Sequence, residues 1–247
     1  MVKEGLFTQF PCEAVFGLHN WPGMPVGTVG TRVGPMMAAA DLFTIDIFGK
    51  GGHAALPHHA ADPVVIAAHL VTALQTLVSR STDPLEAAVV SVTGIEGGKA
   101  YNVIPERARL FGTVRSFTPT VRDSLEAGLK RLAEGTASMF GARAEVKYER
   151  KFPPVINSSA EVQIAARAAA AVVGEANVDA SITPIMGSED FSFMLEAKPG
   201  AYLFLGQAGG PSSCMIHNPR YDFNDALLPV GASFWVALVE QVLSANK

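Results

Sequence analysis

Asp41-Leu42-Phe43-Thr44-Ile45-Asp46-Ile47-Phe48, running directly into Gly49-Lys50-Gly51-Gly52-His53-Ala54-Ala55-Leu56-Pro57, is the stretch whose reading decides the fold. Apolar and polar side chains alternate over much of the first eight positions, the pattern of a half-buried strand. Three glycines in four positions then end the strand and free the backbone to approach a ligand closely. The turn carries one imidazole, His53, a group that gains and loses a proton near neutral pH. From this segment alone, a ligand-facing histidine and an incidental turn histidine fit equally.

A helix is expected to follow. Asp62 can cap it, Pro63 suits its first turn, and Val65, Ala68, Leu70, Leu74, Leu77 and Val78 recur at helical spacing up to Arg80. Strand patterns come next at 87–93 and 108–115, before Thr118-Pro119, a cap-plus-proline signal, predicts a helix over 119–140 closed by Gly141. Residues 143–149 alternate again. The order over 41–149 is βαββαβ, which predicts one four-stranded antiparallel sheet with both helices on one face.

The flanks differ in character. Residues 13–33 hold short apolar pieces separated by Gly and Pro, and an alanine-rich helix is expected over 160–174 from about Ser159. Ala201-Tyr202-Leu203-Phe204-Leu205 suits a fully buried strand, and a last helix is expected from Pro229 to Ala245. The chain therefore reads as an α/β protein in which an insert, residues 39–152, interrupts a host domain made of 1–38 and 153–247.

Composition narrows the partners. A net charge of −4 with no cluster of lysines and arginines argues against nucleic acid, whose phosphates need a basic face. The stretch Val64–Val78 is broken by His69, Thr72, Gln75 and Thr76, so no run reaches the ~20 apolar residues of a membrane span. Met1 to Gly5 carries no apolar signal core, and Cys12 and Cys214 form no CxxC pair. A cytoplasmic protein with buried, unpaired thiols is the expectation.

Several residues could carry chemistry. His19, in Gly17-Leu18-His19-Asn20-Trp21-Pro22-Gly23, and His217, in Met215-Ile216-His217-Asn218-Pro219, each precede an asparagine at a turn, and imidazoles so placed can meet on a metal. Each also reads as a histidine that simply fills a turn. Gly187-Ser188-Glu189-Asp190-Phe191 places two acids side by side; on a helix these would not share a face, so one could meet substrate or hold a histidine while the other caps a helix. Both could equally be N-terminal helix charges. Asn102 and Arg115 bracket a hairpin, and an arginine fork suits a substrate carboxylate, although pairing with a surface acid is the simpler reading. No role is assigned to His58, to His59, or to His69, which is placed at a half-buried helix position. No GxSxG elbow, Walker loop or Rossmann fingerprint is present.

Taken in order, GLHNWPG, GKGGHAALPH, AYNVIP followed by GTVR, MGSEDFSFM and HNPRYDFND resemble the aminoacylase/carboxypeptidase metallopeptidases. The branch is that of hippurate hydrolases, N-acyl-amino-acid amidohydrolases and auxin-conjugate hydrolases. The resemblance covers essentially the whole chain. It implies a split zinc-peptidase-like α/β catalytic domain, with the βαββαβ (ferredoxin-like) insert as lid and dimerisation surface. Position by position, it implies that His19 and His217 are metal ligands, one for each ion of a pair. It further implies that His53 polarises the scissile carbonyl, often in the partner subunit, and that Asn102 and Arg115 bind substrate. Glu189 falls in a substrate-side loop where Gly187 allows close approach.

The implied reaction is hydrolysis of the amide of an N-acyl amino acid or peptide by a homodimer using two divalent ions, of zinc, manganese, cobalt or nickel. Members of that family carry a Cys-Gly-His-type ligand segment and a Glu-Glu pair upstream of the part matched here. The residues of this chain are accordingly expected to hold metal weakly and to turn over slowly. The competing expectation is a non-catalytic module that dimerises or binds carboxylates and keeps His53, Asn102 and Arg115 as an anion pocket.

Overall fold

The strand expected at 41–48 runs from Ala39 to Phe48 in the computed structural model, which describes residues 1–208 and 214–244. In chain order, the first elements are α1 (Leu6–Gln9), β1 (Val15–Pro25), β2 (Val29–Gly30), β3 (Gly34–Met37), β4 (Ala39–Phe48) and β5 (Gly52–His53). Next come α2 (Pro63–Ser81), β6 (Ala88–Gly97), β7 (Val103–Ile104), β8 (Arg107–Ser116), α3 (Pro119–Met139) and β9 (Arg143–Phe152). The chain continues with β10 (Val155–Asn157), α4 (Ser159–Val173), β11 (Val178–Asp179), α5 (Ser192–Ala197), β12 (Gly200–Ala208) and α6 (Leu227–Ser244). Residues group into two units: Met1–Met37, Val155–Ile185 and Glu189–Lys247 in the first, Ala38–Pro154 and Met186–Ser188 in the second.

In the second unit β6, β8, β4 and β9 form an antiparallel sheet in that order. Burial alternates along β4: Phe43, Ile45 and Ile47 are buried, whereas Leu42 is exposed and Thr44, Asp46 and Phe48 are half-buried. The buried set packs against Ile66, Ala67, Leu70, Leu74 and Leu77 of α2 and Leu125, Leu129, Ala133 and Ala137 of α3, so both helices cover one face. Leu70, Leu74 and Leu77 are buried as expected, but at the start of α2 Ile66 and Ala67 take the inner face and Val65, Ala68 and His69 face outward; Asp62 caps the amides of Val64 and Val65. His69 is thus exposed, with its ring 5.0 Å from that of Phe140. Pro63–Ser81 is long and apolar enough, by length and composition, to cross a membrane, yet its buried stripe lies in this sheet core.

One polar residue breaks the β4 pattern. Asp41 shares the face of Phe43 and is 1% exposed. Its carboxylate accepts from Arg122 Nε at 2.9 Å and Nη2 at 2.5 Å and from the Tyr148 hydroxyl at 2.8 Å, and Arg122 Nη2 also donates to the Phe152 carbonyl at 3.1 Å. Every strong group of the cluster has a partner, which is the condition under which a buried charge pair is tolerated. Burial, then the neighbouring carboxylate, raises the Tyr148 pKa.

In the first unit the sheet order is β1, β12, β2, β11, with β1 and β12 parallel. β12 is buried from Gly200 to Gln207, as a strand covered on both faces should be. Ala201, Leu203 and Leu205 meet α4 and α6 on one side, while Tyr202 and Phe204 join Met36, Met37 and Val155 on the other. β1 is one strand rather than the separate pieces expected. It continues across Trp21-Pro22-Gly23 because it lies at the sheet edge, where proline costs no ladder bond. Cys12 and Cys214 are half-buried, not buried, and form no disulfide. Ala245, where the last helix was expected to end, lies outside the described residues.

The outer face of α6 is as apolar as its inner face. Leu228, Trp235, Val236, Val239 and Leu243 are all exposed, opposite Leu227, Phe234 and Leu238 in the core.

Removing one partner of the buried pair should be costly. Asp41→Ala is expected to lower unfolding free energy by about 3–5 kcal/mol, because Arg122 is left charged and unpaired. Arg109→Ala, which breaks a solvent-screened pair with Asp46, should cost far less. Urea unfolding of the two variants measures the contrast, and equal losses would refute the role given to Asp41.

Candidate functional site

The candidate residues divide between the two units. His19, Glu189 and His217 belong to the first; His53, Asn102, Arg115 and Gly187 belong to the second.

His19 stands on β1 opposite Phe204 of β12, with the rings of Trp21, Tyr202 and Phe204 within 6.5 Å of its own. Its Nδ1 is 2.6 Å from the Asn20 carbonyl. A carbonyl only accepts, so Nδ1 carries a proton; in the neutral ring Nε2 then keeps its lone pair, the form in which histidine ligates metal. Two residues earlier, Gly17 pairs with Tyr202, and a Cβ there would come within 2.6 Å of the Tyr202 ring. Glycine is therefore required for that ring to lie across β1. The Tyr202 hydroxyl donates to Glu189 Oε2 at 3.0 Å, and the Asp190 amide donates to Oε1 at 2.9 Å. Glu189 thus orients a tyrosine rather than a histidine. Burial, then the charge of Glu189, raises the Tyr202 pKa, so that the hydroxyl stays a donor. Asp190 itself is exposed.

His217 is exposed and has φ 66°, the one non-glycine residue in the left-handed region among the described residues. Such a conformation is held by its surroundings. Asn218 supplies part of the hold: its side chain accepts from the Arg220 amide and its carbonyl from the Tyr221 amide, both at 2.9 Å.

The donor set can be compared with what a metal pair requires. Zinc-type sites take three or more protein ligands per ion. Among the described residues no three His, Cys, Asp or Glu side chains cluster in a way that could hold an ion. Among the described residues the donors present do not make up a dinuclear site.

In the second unit, β5 and β7 form a two-stranded ribbon in which His53 faces Val103 and the Ala54 amide donates to the Asn102 carbonyl at 3.0 Å. The ribbon brings His53 and Asn102 together, both exposed. His53 Nδ1 accepts from the Ala55 amide at 3.1 Å, which places the ring proton on Nε2. The two histidines are set in opposite tautomers: His19 offers a lone pair and His53 a hydrogen-bond donor.

Arg115 is elsewhere. It pairs with Ala40 and Val89, whereas Arg107, at the start of β8, pairs with Phe48. Eight strand steps separate the two ends, about 27 Å at ~3.4 Å per residue. Half-buried Arg115 donates from Nη1 to Ser188 Oγ at 3.3 Å, and among the described residues it forms no ion pair with an acid. The simpler reading, pairing with a surface acid, is not what the structure has. Gly187, next to Ser188, is exposed, and its carbonyl accepts from the Ala38 amide at 2.8 Å.

Sequence reasoning missed Tyr202, Asn20, Gln207 and Tyr221, whose side chains surround the two histidine-bearing segments. Gln207 was detectable as a polar residue at the end of a buried apolar run. If the left-handed turn at His217 is strained, His217→Gly should raise stability by about 1 kcal/mol. A lower melting temperature for that variant would show that the imidazole contributes more packing than strain.

Comparison with known proteins follows this geometry. The chain is 38% identical over 235 residues to an N-acetylcysteine deacetylase of Bacillus subtilis, covering 95% of this chain and 60% of the relative. It is 35% identical over 243 residues to the hippurate hydrolase of Campylobacter jejuni, covering 98% and 63%. Among solved structures, a dinuclear metal-binding peptidase of the M20 family from Bacillus subtilis superposes with a TM-score of 0.80 at 31% identity, covering 98% of this chain and 60% of that one. The chain thus spans about three-fifths of the length of these relatives. Residues 1–241 match the model of Peptidase family M20/M25/M40, and the chain belongs to that family.

Proposed function

We propose that the chain forms the lid and part of the catalytic core of a metal-dependent amidohydrolase that cleaves the amide bond of N-acyl amino acids of the hippurate type. The observation that carries this reading is the tautomer of His53. Its Nε2–H is aimed away from a backbone amide that occupies Nδ1, so the imidazole presents a neutral donor suited to a carbonyl oxygen that gains charge as the amide is attacked. Arg115 is half-buried, and its side-chain partner among the described residues is a serine hydroxyl, so it suits the carboxylate of the amino-acid half through a bidentate fork. Asn102, beside His53 on the ribbon, supplies a further amide to the substrate backbone. His19, with its lone pair on Nε2, and His217 are the residues of this chain proposed to contribute to the divalent ions.

The reading includes a homodimer. The chain runs on to His53 and Asn102 from the end of the insert sheet where Phe48 pairs with Arg107, and that end lies about 27 Å by strand rise from Arg115. An N-acyl amino acid is far shorter than that. One substrate can meet Arg115 and His53 together only if the two side chains come from two copies. The N-acetylcysteine deacetylase and hippurate hydrolase names belong to relatives and support the substrate class without specifying the acyl group.

In a polypeptide extended to its relatives' length, His53→Ala is expected to lower kcat about 10²–10³-fold, the usual loss on removing one oxyanion donor. Arg115→Lys should instead raise KM, by about tenfold, as a point charge replaces a fork. Mixing the His53→Ala protein with an Arg115→Ala protein should restore N-benzoylglycine hydrolysis, because a mixed dimer keeps one intact site. No recovery on mixing, with dimers confirmed by light scattering, would place both residues in the same copy and refute the shared site.

A further inference from the structure

Three polar side chains join the segments that bear His19 and His217. Asn20 Nδ2 donates to Gln207 Oε1 at 2.7 Å and to the Tyr221 hydroxyl at 2.5 Å, and that hydroxyl donates to Gln207 Oε1 at 2.7 Å. The triangle is chemically closed: the amide of Asn20 uses two protons, the tyrosine accepts one bond and gives one, and the Gln207 oxygen accepts two. Gln207, 2% exposed, is the anchor, and its Nε2 also donates to the Asp222 carbonyl at 3.1 Å. Asn20 directly follows His19 on β1, Gln207 lies on β12, and Tyr221 lies four residues past His217.

We propose that Asn20, Gln207 and Tyr221 act as a clasp that holds the His217 turn in its left-handed form against the ends of β1 and β12, making them positioning residues for His217. The turn needs such a hold. A histidine at φ 66° is conformationally costly, and the local bonds of Asn218 close the turn without attaching it to the sheet. Among the described residues the attachment is made by Tyr221, to Gln207 and Asn20, and by the Asp222 carbonyl, to Gln207. A buried amide oxygen that accepts two bonds fixes geometry more sharply than apolar contact does, because a displacement leaves a donor or acceptor unpaired. The inference rests on the proposed role of His217 only for its purpose; the clasp itself is a property of the chain without metal.

The test uses the native 247-residue chain and the variants Tyr221→Phe, Asn20→Ala and their combination. Trypsin cleavage after Arg220, which is exposed and adjacent to Tyr221, reads attachment of the turn, and the imidazole NMR signals of His19, His53 and His217 read local geometry. Tyr221→Phe removes two of the three side-chain bonds. It is expected to speed cleavage at Arg220 about tenfold and to move the His217 signal, while His53 in the other unit is unchanged. The double variant should be no worse than the more severe single one, because each already opens the triangle. Unchanged cleavage and an unmoved His217 signal in Tyr221→Phe would overturn the clasp, as would additive effects in the double variant. Should Tyr221→Phe fail to fold, Asn20→Ala carries the same two readouts. A zinc titration of the native chain, followed by the same signals, reads the metal role separately: silence of His19 and His217 to zinc would count against their role as ligands and leave the clasp standing.

Discussion

The register of β4 between β8 and β9 governs what the insert can present. Because side chains alternate with period two, a one-residue slip would send Phe43, Ile45 and Ile47 to the outer face and bring Leu42, Thr44 and Asp46 into the core. The hydrophobic pattern resists such a slip, and Asp41 reinforces it. Its carboxylate is bound from α3 by Arg122 and from β9 by Tyr148, so strand, helix and neighbouring strand are fixed against one another at a single buried point. With register fixed there, Arg115 is held near the residues where the chain joins the insert, and the glycine turn that leads to His53 is carried to the far end.

The first unit works by a different constraint. Its longest strand pair, β1 at the sheet edge with β12, is parallel and joins residues about 185 apart in sequence, so its order depends on packing rather than on a turn. Gly17 exemplifies the dependence. The absent side chain makes room for the Tyr202 ring, the ring places its hydroxyl on Glu189, and the same face of β1 presents His19 two residues on. A glycine that looks like a strand interruption is what permits the two candidate side chains, His19 and Glu189, to share a neighbourhood.

Legibility in the sequence followed the range of the interactions. The helices beginning at Pro63 and Pro119 were readable because their caps, Asp62 and Thr118, act on amides two or three residues away. The four-stranded insert was readable because alternation and helical spacing are local patterns that sum to a topology. The ribbon of β5 and β7 was not, since two residues on each side carry no periodicity and pair across fifty intervening positions. Asp41 was misleading for a related reason: its polarity fits a solvent-facing position, and only its parity with Phe43 and the placement of Arg122 three residues before Leu125 mark it as buried. Motif order pointed to the candidate residues, but the division of His53 and Asn102 from Arg115 depends on pairing register, which motifs do not encode.

That division bears on how His53 could be effective. As it stands on the ribbon, the imidazole is exposed, and a hydrogen bond from it to a carbonyl oxygen in water would be offset by the bonds that water already makes. The same donor becomes strong where solvent is excluded and the local dielectric falls. Nothing within the second unit encloses His53 in that way, so the enclosure has to be supplied by whatever surface the ribbon meets. A second copy presenting its own substrate-bearing face meets the requirement, since it would bury the donor only when substrate and ribbon come together. In the proposed dimer the two-residue ribbon would carry one fixed tautomer to the interface, and the long, strongly registered sheet behind it would keep its position fixed.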